Sequence, residues 1–397
     1  MLSLKTKTQG AEIRYTLDGT SPGIDFGTLY TSPIHITQST TLRARAFKAQ
    51  YRASPTSTRT YLFIDDVLTQ SPDGLPSKSF PYSWGKNKVN YGMDQRVVSD
   101  PRISKELIEG FYSLPSFSIV MNVGDLFDEE SGIYANADRD GREAERTCSM
   151  ELIHADGTKG FQIDCGIRMR GGFSRRADNP KHSFRFFFRD VYGPSKLDYP
   201  LFGESGADQF DHLDIRTFQN YAWHLGSREA IFLRDQFCRD LQLSLNQPAA
   251  RGDFCHLFLN GQYWGVYNTC ERIKASYGAA YFGGKKDNFD SIKHGRGGVM
   301  TNDGNLDSWK RLWNHAKAGL EKNQSYFEML GRNPDGSENP ELECLLDVDN
   351  LIDYMFVIFY GGNYDGPISA WGNNMGPNNW YGLRNRENRD GFRFFVW

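Results

Sequence analysis

From Thr41 to Phe47 the chain alternates strictly, with Leu42, Ala44 and Ala46 on one side and Thr41, Arg43, Arg45 and Phe47 on the other. A period of two predicts a half-buried strand. Shorter extended runs surround it at 11–17, 29–30, 34–36 and 58–63, separated by Asp18-Gly19-Thr20-Ser21-Pro22 and Ser32-Pro33. These are turn residues, and short strands at this spacing predict a small β-sandwich over 1–64. Residues 65–114 carry Pro72, Gly74, Pro76, Pro81, Gly85 and Gly92, and read as a connecting region partly ordered by Tyr82, Trp84 and Tyr91, with a helical turn at Lys105–Glu109.

From Ser116 the pattern becomes α+β. Strands are predicted at 117–121, 150–153, 161–169, 183–189, 211–216 and 392–397. Cys255–Tyr267 reads as a hairpin with Asn260-Gly261 at its tip, the strongest local hairpin signal. A helix is predicted over Ser227–Leu243, with Ala230, Leu233, Phe237 and Leu241 on its apolar face. Residues 306–331 and 347–361 are predicted helical. The fold class is therefore α+β, a β-rich stretch giving way to a largely helical one, from 115 to 397.

Composition narrows the partners. The 397 residues carry 46 basic and 49 acidic side chains, a formal charge of −3 that gives no global field for nucleic acid. Aromatic residues make up 14%, enough to build cores although the hydrophobic fraction is only 39%. No run of about 18 apolar residues is present, so no membrane span is expected. Met1-Leu2-Ser3-Leu4-Lys5 is not followed by the apolar core of a signal peptide. The six cysteines, Cys148, Cys165, Cys238, Cys255, Cys270 and Cys344, contain no CxxC pair, which argues against a zinc site or thioredoxin-like motif. Cys148 and Cys165 bracket a turn at Asp156-Gly157, so they either face each other across a hairpin or are buried thiols.

Three constellations are chemically interesting. Arg168-Met169-Arg170-Gly171-Gly172-Phe173-Ser174-Arg175-Arg176, followed by Lys181, places two glycines where backbone N–H groups can cradle phosphate oxygens. Lysine adds a point charge to such phosphates, though the same glycines suit an ordinary hairpin. There is no P-loop. Asn363-Tyr364-Asp365-Gly366 follows an apolar helix; its carboxylate suits a general base, a metal ligand or a plain Asp-Gly turn. Asn373-Asn374 and Asn378-Asn379 offer amide oxygens to Mg²⁺ or simply make turns.

Taken in order, these pieces resemble the CotH (spore-coat protein H) kinase family. The blocks are RMRGGFSRRADNPKHSFRFFF, KLDYPLFG at 196–203, Phe232-Leu233-Arg234-Asp235, the hairpin LFLNGQYWGVYNTCERI, and the Asn-x-Asp loop. Upstream, YTLDGTSP, LYTSPI and TTLRARAF resemble the chitobiase/β-hexosaminidase C-terminal type of immunoglobulin-like domain. The resemblance implies a two-lobed, atypical protein-kinase-like domain over 115–397, transferring phosphate from ATP to a protein hydroxyl. Arg170, Gly171, Gly172, Ser174, Lys181 and Glu271 would contact ATP, Asp365 would be the catalytic group, and Asn374 or Asn379 would hold Mg²⁺. Glu271 is preferred to Glu229 and Asp235 as the carboxylate near the lysine, with the helix over Ser227–Leu243 packed on the first lobe's sheet and Lys181 sharing a cleft with Asp365.

A protein substrate follows from the same resemblance, with a cell-envelope polysaccharide as a possible partner of the N-terminal module and an extracellular or cell-surface location. Two departures qualify this reading. Gly366-Pro367-Ile368-Ser369 replaces the family's His-x-x-Asn continuation. The chain also ends at Trp397, where the family's next residue is a metal-binding aspartate. Truncation at both ends, and weak phosphotransfer by the chain as given, are the corresponding expectations. The alternative is a catalytically silent surface protein that uses the kinase-like scaffold for binding.

Overall fold

The computed structural model describes residues 1–73, 80–84, 86–218, 222, 226–295, 297–372 and 376–397. It is α+β and divides into two compact units. One comprises Met1–Tyr199, Asp211–Asn220 and Phe254–Thr269; the other comprises Pro200–Phe210, Tyr221–Asp253 and Cys270–Trp397.

The first unit begins with strands β1 (Glu12–Thr16), β2 (Thr28–Leu29), β3 (Thr40–Phe47) and β4 (Ser57–Tyr61), in the order β2-β1-β3-β4. Leu42 and Ala44, the inward positions of the alternating run, join Ile34 in the local core. The expected sandwich is present as this one sheet, with Leu2 and Ile34 joined in an isolated antiparallel bridge outside it. No helix interrupts residues 11–63, as the alternating pattern requires. The sheet is tied to the rest of the unit by buried polar contacts. Thr60 N–H donates to Glu151 at 2.7 Å, and its hydroxyl lies 2.7 Å from Ser118 Oγ.

Seven further strands close a barrel. They are β5 (Ser116–Val120), β6 (Arg146–Ile153), β7 (Gln162–Arg170), β8 (Ser183–Phe187), β9 (His212–Arg216), β10 (Phe254–Leu259) and β11 (Gln262–Cys270). The order around the barrel is β8-β9-β11-β10-β5-β6-β7. Strands β5 and β10 pair in parallel, His256 opposite Ser116. At the β10–β11 tip Asn260 and Gly261 both have positive φ, 47° and 83°, the backbone that a two-residue hairpin of this hand demands. The Asn260 amide also accepts from and donates to the Met121 backbone at 2.9 and 2.8 Å. The register of β10 and β11 shifts after Leu257, so Trp264 is an extra residue bulged out of β11.

The connecting region is more ordered than its composition suggests. Phe80, Trp84 and Tyr91 are buried with Phe127, Tyr134 and Trp264, and Trp84 lies 4.9 Å from Tyr134 and 5.7 Å from Trp264, centroid to centroid. Tyr82, expected to share in this ordering, is instead 73% exposed. The helical turn near Lys105 extends to a helix over Ser104–Ser113.

In the second unit a four-stranded sheet of Phe289–Gly295, Gly298–Asp303, Tyr381–Asn385 and Arg393–Phe395 packs with helices Asp307–Ala318 and Val348–Tyr360. The predicted helical stretch 306–331 is two helices, broken at Gly319, whose φ is 107°. Helix Val348–Tyr360 buries Asn350, Tyr354, Val357 and Ile358, at the i, i+4, i+7, i+8 spacing of one face. Its other face, with Ile352, Phe356 and Phe359, is exposed, so this apolar helix is half-buried rather than wholly internal.

The helix predicted over Ser227–Leu243 requires correction. It spans Arg234–Ser244, and its fully buried positions are Arg239 and Gln242; of the apolar residues that suggested it, Leu241 packs against the second unit's core. Leu233 and Phe237 are exposed. Gln242 donates to Phe394 O at 2.8 Å and accepts from Val396 N at 3.0 Å, completing a strand edge with its side-chain amide. A buried polar group satisfied in this way leaves no apolar period to detect. The helix belongs to the second unit, not to the barrel's unit as expected, and packs on Val348–Tyr360.

Candidate functional site

The site residues predicted from sequence fall in both units, and each group has its own geometry. In the first unit, β7 ends at Arg170 and the chain turns at Gly171-Gly172. Ser183 pairs with Arg170, so β8 begins beside that turn. Gly171 has φ 123°, and a Cβ there would lie 1.8 Å from Ser174 Oγ; the serine hydroxyl occupies the space a side chain would need. Gly172 has φ −108° and nothing within 4 Å of a notional Cβ, so a side chain there would meet no neighbour. Arg170 is buried and pairs with Asp214 at 3.1 Å, while Arg185 makes two further bonds to the same carboxylate. The structure thus commits Arg170 to an internal ion pair.

Lys181 lies two residues before β8. The residue retains some accessible surface, but its ammonium end is packed 4.9 Å from the centre of the Tyr267 ring. Burial lowers the lysine from its ordinary 10.5 to about 8. Gly265 explains how the ammonium gets there. A Cβ on Gly265, whose φ is 120°, would sit 2.4 Å from Lys181 Nζ. Within β11, then, Trp264 bulges into the aromatic cluster, Gly265 leaves room for the ammonium, and Tyr267 offers it a π face.

The loop leading into Lys181 is held from outside the barrel strands. Trp84 Nε1 donates to Pro180 O at 3.2 Å, Tyr134 Oη donates to the same carbonyl at 3.4 Å, and His182 N donates to Tyr134 Oη at 3.2 Å. His182 is buried and pushed down to about 4, which keeps it neutral. None of Gly265, Tyr267, Trp84 or Tyr134 was assigned a site role from sequence. For Gly265 and Tyr267 the signal was present as Trp-Gly-x-Tyr, but its partner Lys181 lies over 80 residues upstream.

In the second unit, Asp365 follows the helix Val348–Tyr360. Its N–H donates to Asn363 Oδ1 at 3.0 Å. The Asp365 carboxylate is an acceptor for its whole loop. Ser369 Oγ and Asn378 Nδ2 donate to Oδ1 at 2.9 and 2.8 Å, and Asn379 Nδ2 donates to Oδ2 at 2.7 Å. Asn379 reaches it from a left-handed backbone, φ 40°. A carboxylate has roughly four lone-pair sites. Three are used here, so Oδ2 retains the capacity to accept one more proton donor. Asp365 is therefore a loop-organising carboxylate rather than a helix cap. The other predicted metal ligand, Asn374, lies outside the described residues.

Glu271 is 3% exposed. Tyr281 Oη donates to its Oε1 at 2.6 Å and Arg251 N to its Oε2 at 2.8 Å. Burial raises it to about 7, outweighing the hydrogen bonds and the charges of Arg251 and Arg239. The Arg251 guanidinium stacks 4.7 Å from the Tyr281 ring centre. Asp235, the competing carboxylate, is at the start of the helix Arg234–Ser244, where its backbone oxygen accepts from Arg239 Nε at 3.3 Å.

Residues 167–397 match the family described as CotH kinase protein, more than half of the chain. The chain belongs to the CotH kinase family. Residues 2–61 match the Fn3 associated family, so the N-terminal module is assigned to that type, in place of the finer chitobiase/β-hexosaminidase likeness. Comparison with curated proteins gives no match. The five blocks that pointed to the CotH family all lie within or begin inside the matched region, and the Trp-Gly-x-Tyr block is the one whose geometry is clearest.

The family implies ATP and a metal. Among the described residues no group of three or more His, Cys, Asp or Glu side chains is placed to hold a metal ion. A nucleotide-bound Mg²⁺ needs only one or two carboxylates, because substrate phosphates and water complete its shell. Of the predicted metal ligands, Asn379 turns its amide nitrogen to Asp365, which commits the nitrogen and not the oxygen of that amide. No helix among the described residues is long and apolar enough to cross a membrane.

Proposed function

We propose that this CotH-family chain is a two-lobed, ATP-dependent protein kinase. The observation that carries the reading is Lys181: a desolvated lysine ammonium seated against Gly265 and Tyr267, in the segment that follows the Gly171-Gly172 turn into β8. A lysine ammonium supplies a point charge to phosphate oxygens, and a glycine turn supplies backbone N–H groups to the same oxygens. In this reading Lys181 binds the ATP phosphates, Gly171 closes the turn, and Gly172 and Ser174 face the phosphates. Glu271, held by Tyr281 and the Arg251 backbone, is assigned to the nucleotide on the family resemblance. Asp365 Oδ2 accepts the proton of the acceptor hydroxyl, its orientation fixed by Asn378, Asn379 and Ser369. Bound Mg²⁺ would supply charge neutralisation, with Asn379 among the residues that would hold it. The reaction requires mostly positioning and electrostatics, which these residues can provide.

The test is phosphotransfer from γ-labelled ATP to a panel of proteins, alongside ATP-induced thermal shift. Lys181→Ala should remove the thermal shift. Asp365→Asn should keep it and lower transfer by roughly 100- to 10,000-fold, the usual contribution of a general base. Equal transfer by wild type and Asp365→Asn would defeat the assignment. The second reading, a silent scaffold, draws on the three neutral donors already filling most of the Asp365 carboxylate. ATP binding without transfer would favour it.

Secretion or surface display, and contact of the N-terminal module with polysaccharide, form the finer part of the proposal. Tyr51, 63% exposed with Lys48 Nζ 4.9 Å from its ring centre, is the candidate sugar platform. Retention on insoluble cell-wall polysaccharide should then fall on Tyr51→Ala, and unchanged retention would count against it.

A further inference from the structure

Strands β6 and β7 bring two of the six cysteines together. Cys148 and Cys165 are direct register partners, and their sulfurs are 3.5 Å apart. Both are buried, at 3% and 0% exposure. Facing residues in an antiparallel pair have Cα atoms about 4.5–5.5 Å apart, inside the roughly 4.4–6.8 Å that a disulfide spans. Closing the sulfurs to about 2 Å asks for a movement of about 1.5 Å, which side-chain rotation supplies while the ladder stays in register. No disulfide joins any of the six in the structure.

We propose that Cys148 and Cys165 form a reversible cross-strand disulfide when the chain meets an oxidant of the small-molecule disulfide class, and that this bond staples the hairpin carrying the Gly171-Gly172 turn. The chemistry balances as follows. Cys148, which keeps the little exposure the pair has, loses its proton to solvent and attacks one sulfur of the external disulfide. The external S–S bond breaks and one thiolate leaves, giving a mixed disulfide. Cys165 then loses its proton, its sulfur attacks Cys148 Sγ, and the second external thiolate departs. Two protein thiols are oxidised by two electrons, and one external disulfide is reduced to two thiols.

Burial, then the adjacent Cys148 and the charges of Asp164 and Glu145, push the Cys165 thiol up. The pair is therefore slow towards outside reagents, while each sulfur has the other within contact distance. Of the other cysteines, Cys255 faces Tyr267 across β10 and β11, and Cys344 bridges to Leu330. The staple lies between two features of the first unit. At one end β6 offers Glu151 to the N-terminal sheet, and at the other β7 runs through Arg168 and Arg170 into the glycine turn. The inference does not depend on the phosphotransfer reading.

The experiment equilibrates the full chain in mixtures of reduced and oxidised glutathione, both as folded protein and during refolding from denaturant. Samples are quenched in acid, unfolded, alkylated and mapped by mass spectrometry. In oxidising mixtures two of the six thiols should be lost, with one linked peptide pair containing Cys148 and Cys165, restored by excess reduced glutathione. Cys148→Ser, or Cys148→Ala if the serine variant loses the circular-dichroism spectrum of the wild type, should leave Cys165 fully alkylated in every mixture. Complete alkylation of both residues after refolding in the most oxidising mixture would overturn the proposal. So would a link from either one to another cysteine.

Discussion

Gly265→Ala tests whether one glycine keeps Lys181 in its unusual setting. The added Cβ would lie 2.4 Å from Nζ, well inside van der Waals contact. The lysine tip is flexible, so the ammonium would swing off the Tyr267 ring rather than force the barrel apart. The backbone at φ 120° cannot relax so simply, and holding a non-glycine residue there costs about 1–3 kcal/mol. The variant should fold, with a lower melting temperature. The sharper readout is Lys181 itself. With its value at about 8 instead of 10.5, roughly half of the wild-type lysine is neutral at pH 8, against about 0.3% of an ordinary surface lysine, a ratio of ~150-fold. Competitive acetylation across pH, followed by peptide mapping, measures this fraction at Lys181 alone. In Gly265→Ala the midpoint should rise towards the surface lysines as the ammonium regains water. ATP affinity has a matching sign. The phosphate partner is the protonated form, so binding should be full below about pH 8 and weaken as pH rises through it. A wild-type Lys181 that titrates with the surface lysines would refute the desolvation argument. A lowered midpoint that survives Gly265→Ala would show that the glycine is not what seats the ammonium.

Other substitutions separate shape from chemistry. Gly171→Ala should destabilise the chain by about 1–3 kcal/mol, because φ is 123° and the Cβ meets Ser174 Oγ; Gly172→Ala should change stability by no more than about 0.5 kcal/mol yet weaken ATP binding, as thermal unfolding and nucleotide titration would reveal. Tyr134→Phe keeps the ring but loses the hydroxyl bonded to Pro180 and His182. It should cost about 1 kcal/mol and raise KM for ATP more than it lowers kcat, with steady-state kinetics deciding. Glu271 is raised in the folded chain to about 7 from 4.5, so the folded state takes up its proton first and this group's contribution to stability grows as pH falls from about 7 towards 4.5. Glu271→Gln should flatten that part of the stability–pH curve measured by denaturant unfolding, and an unchanged slope would place the dependence elsewhere.

What the sequence revealed, and what it hid, follows from the range of each interaction. Local signals were legible. The alternation at Thr41–Phe47, the Asn260-Gly261 tip and the apolar period of Val348–Tyr360 depend on neighbours a few positions away, and each produced its element. The helix at Arg234–Ser244 was misjudged in extent and in face, because Gln242 is buried for its amide, bonded to a strand more than 150 residues later. The second unit's strands at Phe289–Gly295 and Gly298–Asp303 were also missed. In the first of these, Phe289, Asp290, Ser291 and Ile292 are buried in succession, so its polar residues lie inside and no alternation shows.

The candidate site divides along the same line. Gly171, Gly172 and Lys181 could be named because glycine turns and nearby cations carry a local signature. Asp365 and Asn379 could be named for the same reason, but the hydrogen bonds that make them one cluster could not. The residues that give Lys181 its character were invisible in that sense: Gly265 and Tyr267 act on it from 84 and 86 positions downstream. Trp-Gly-x-Tyr is a family block, and the structure supplies a physical account of all three fixed positions. The bulge at Trp264 sends an indole into the aromatic cluster that backs Pro180, Tyr267 three positions on is a π surface, and Gly265 between them vacates the volume that the ammonium fills. If that account holds, the block is a seat for one lysine rather than a hairpin signature. Tyr267→Leu would then shift the acetylation midpoint of Lys181 while leaving β10 and β11 paired, and an unshifted midpoint would return the motif to the role of a fold marker.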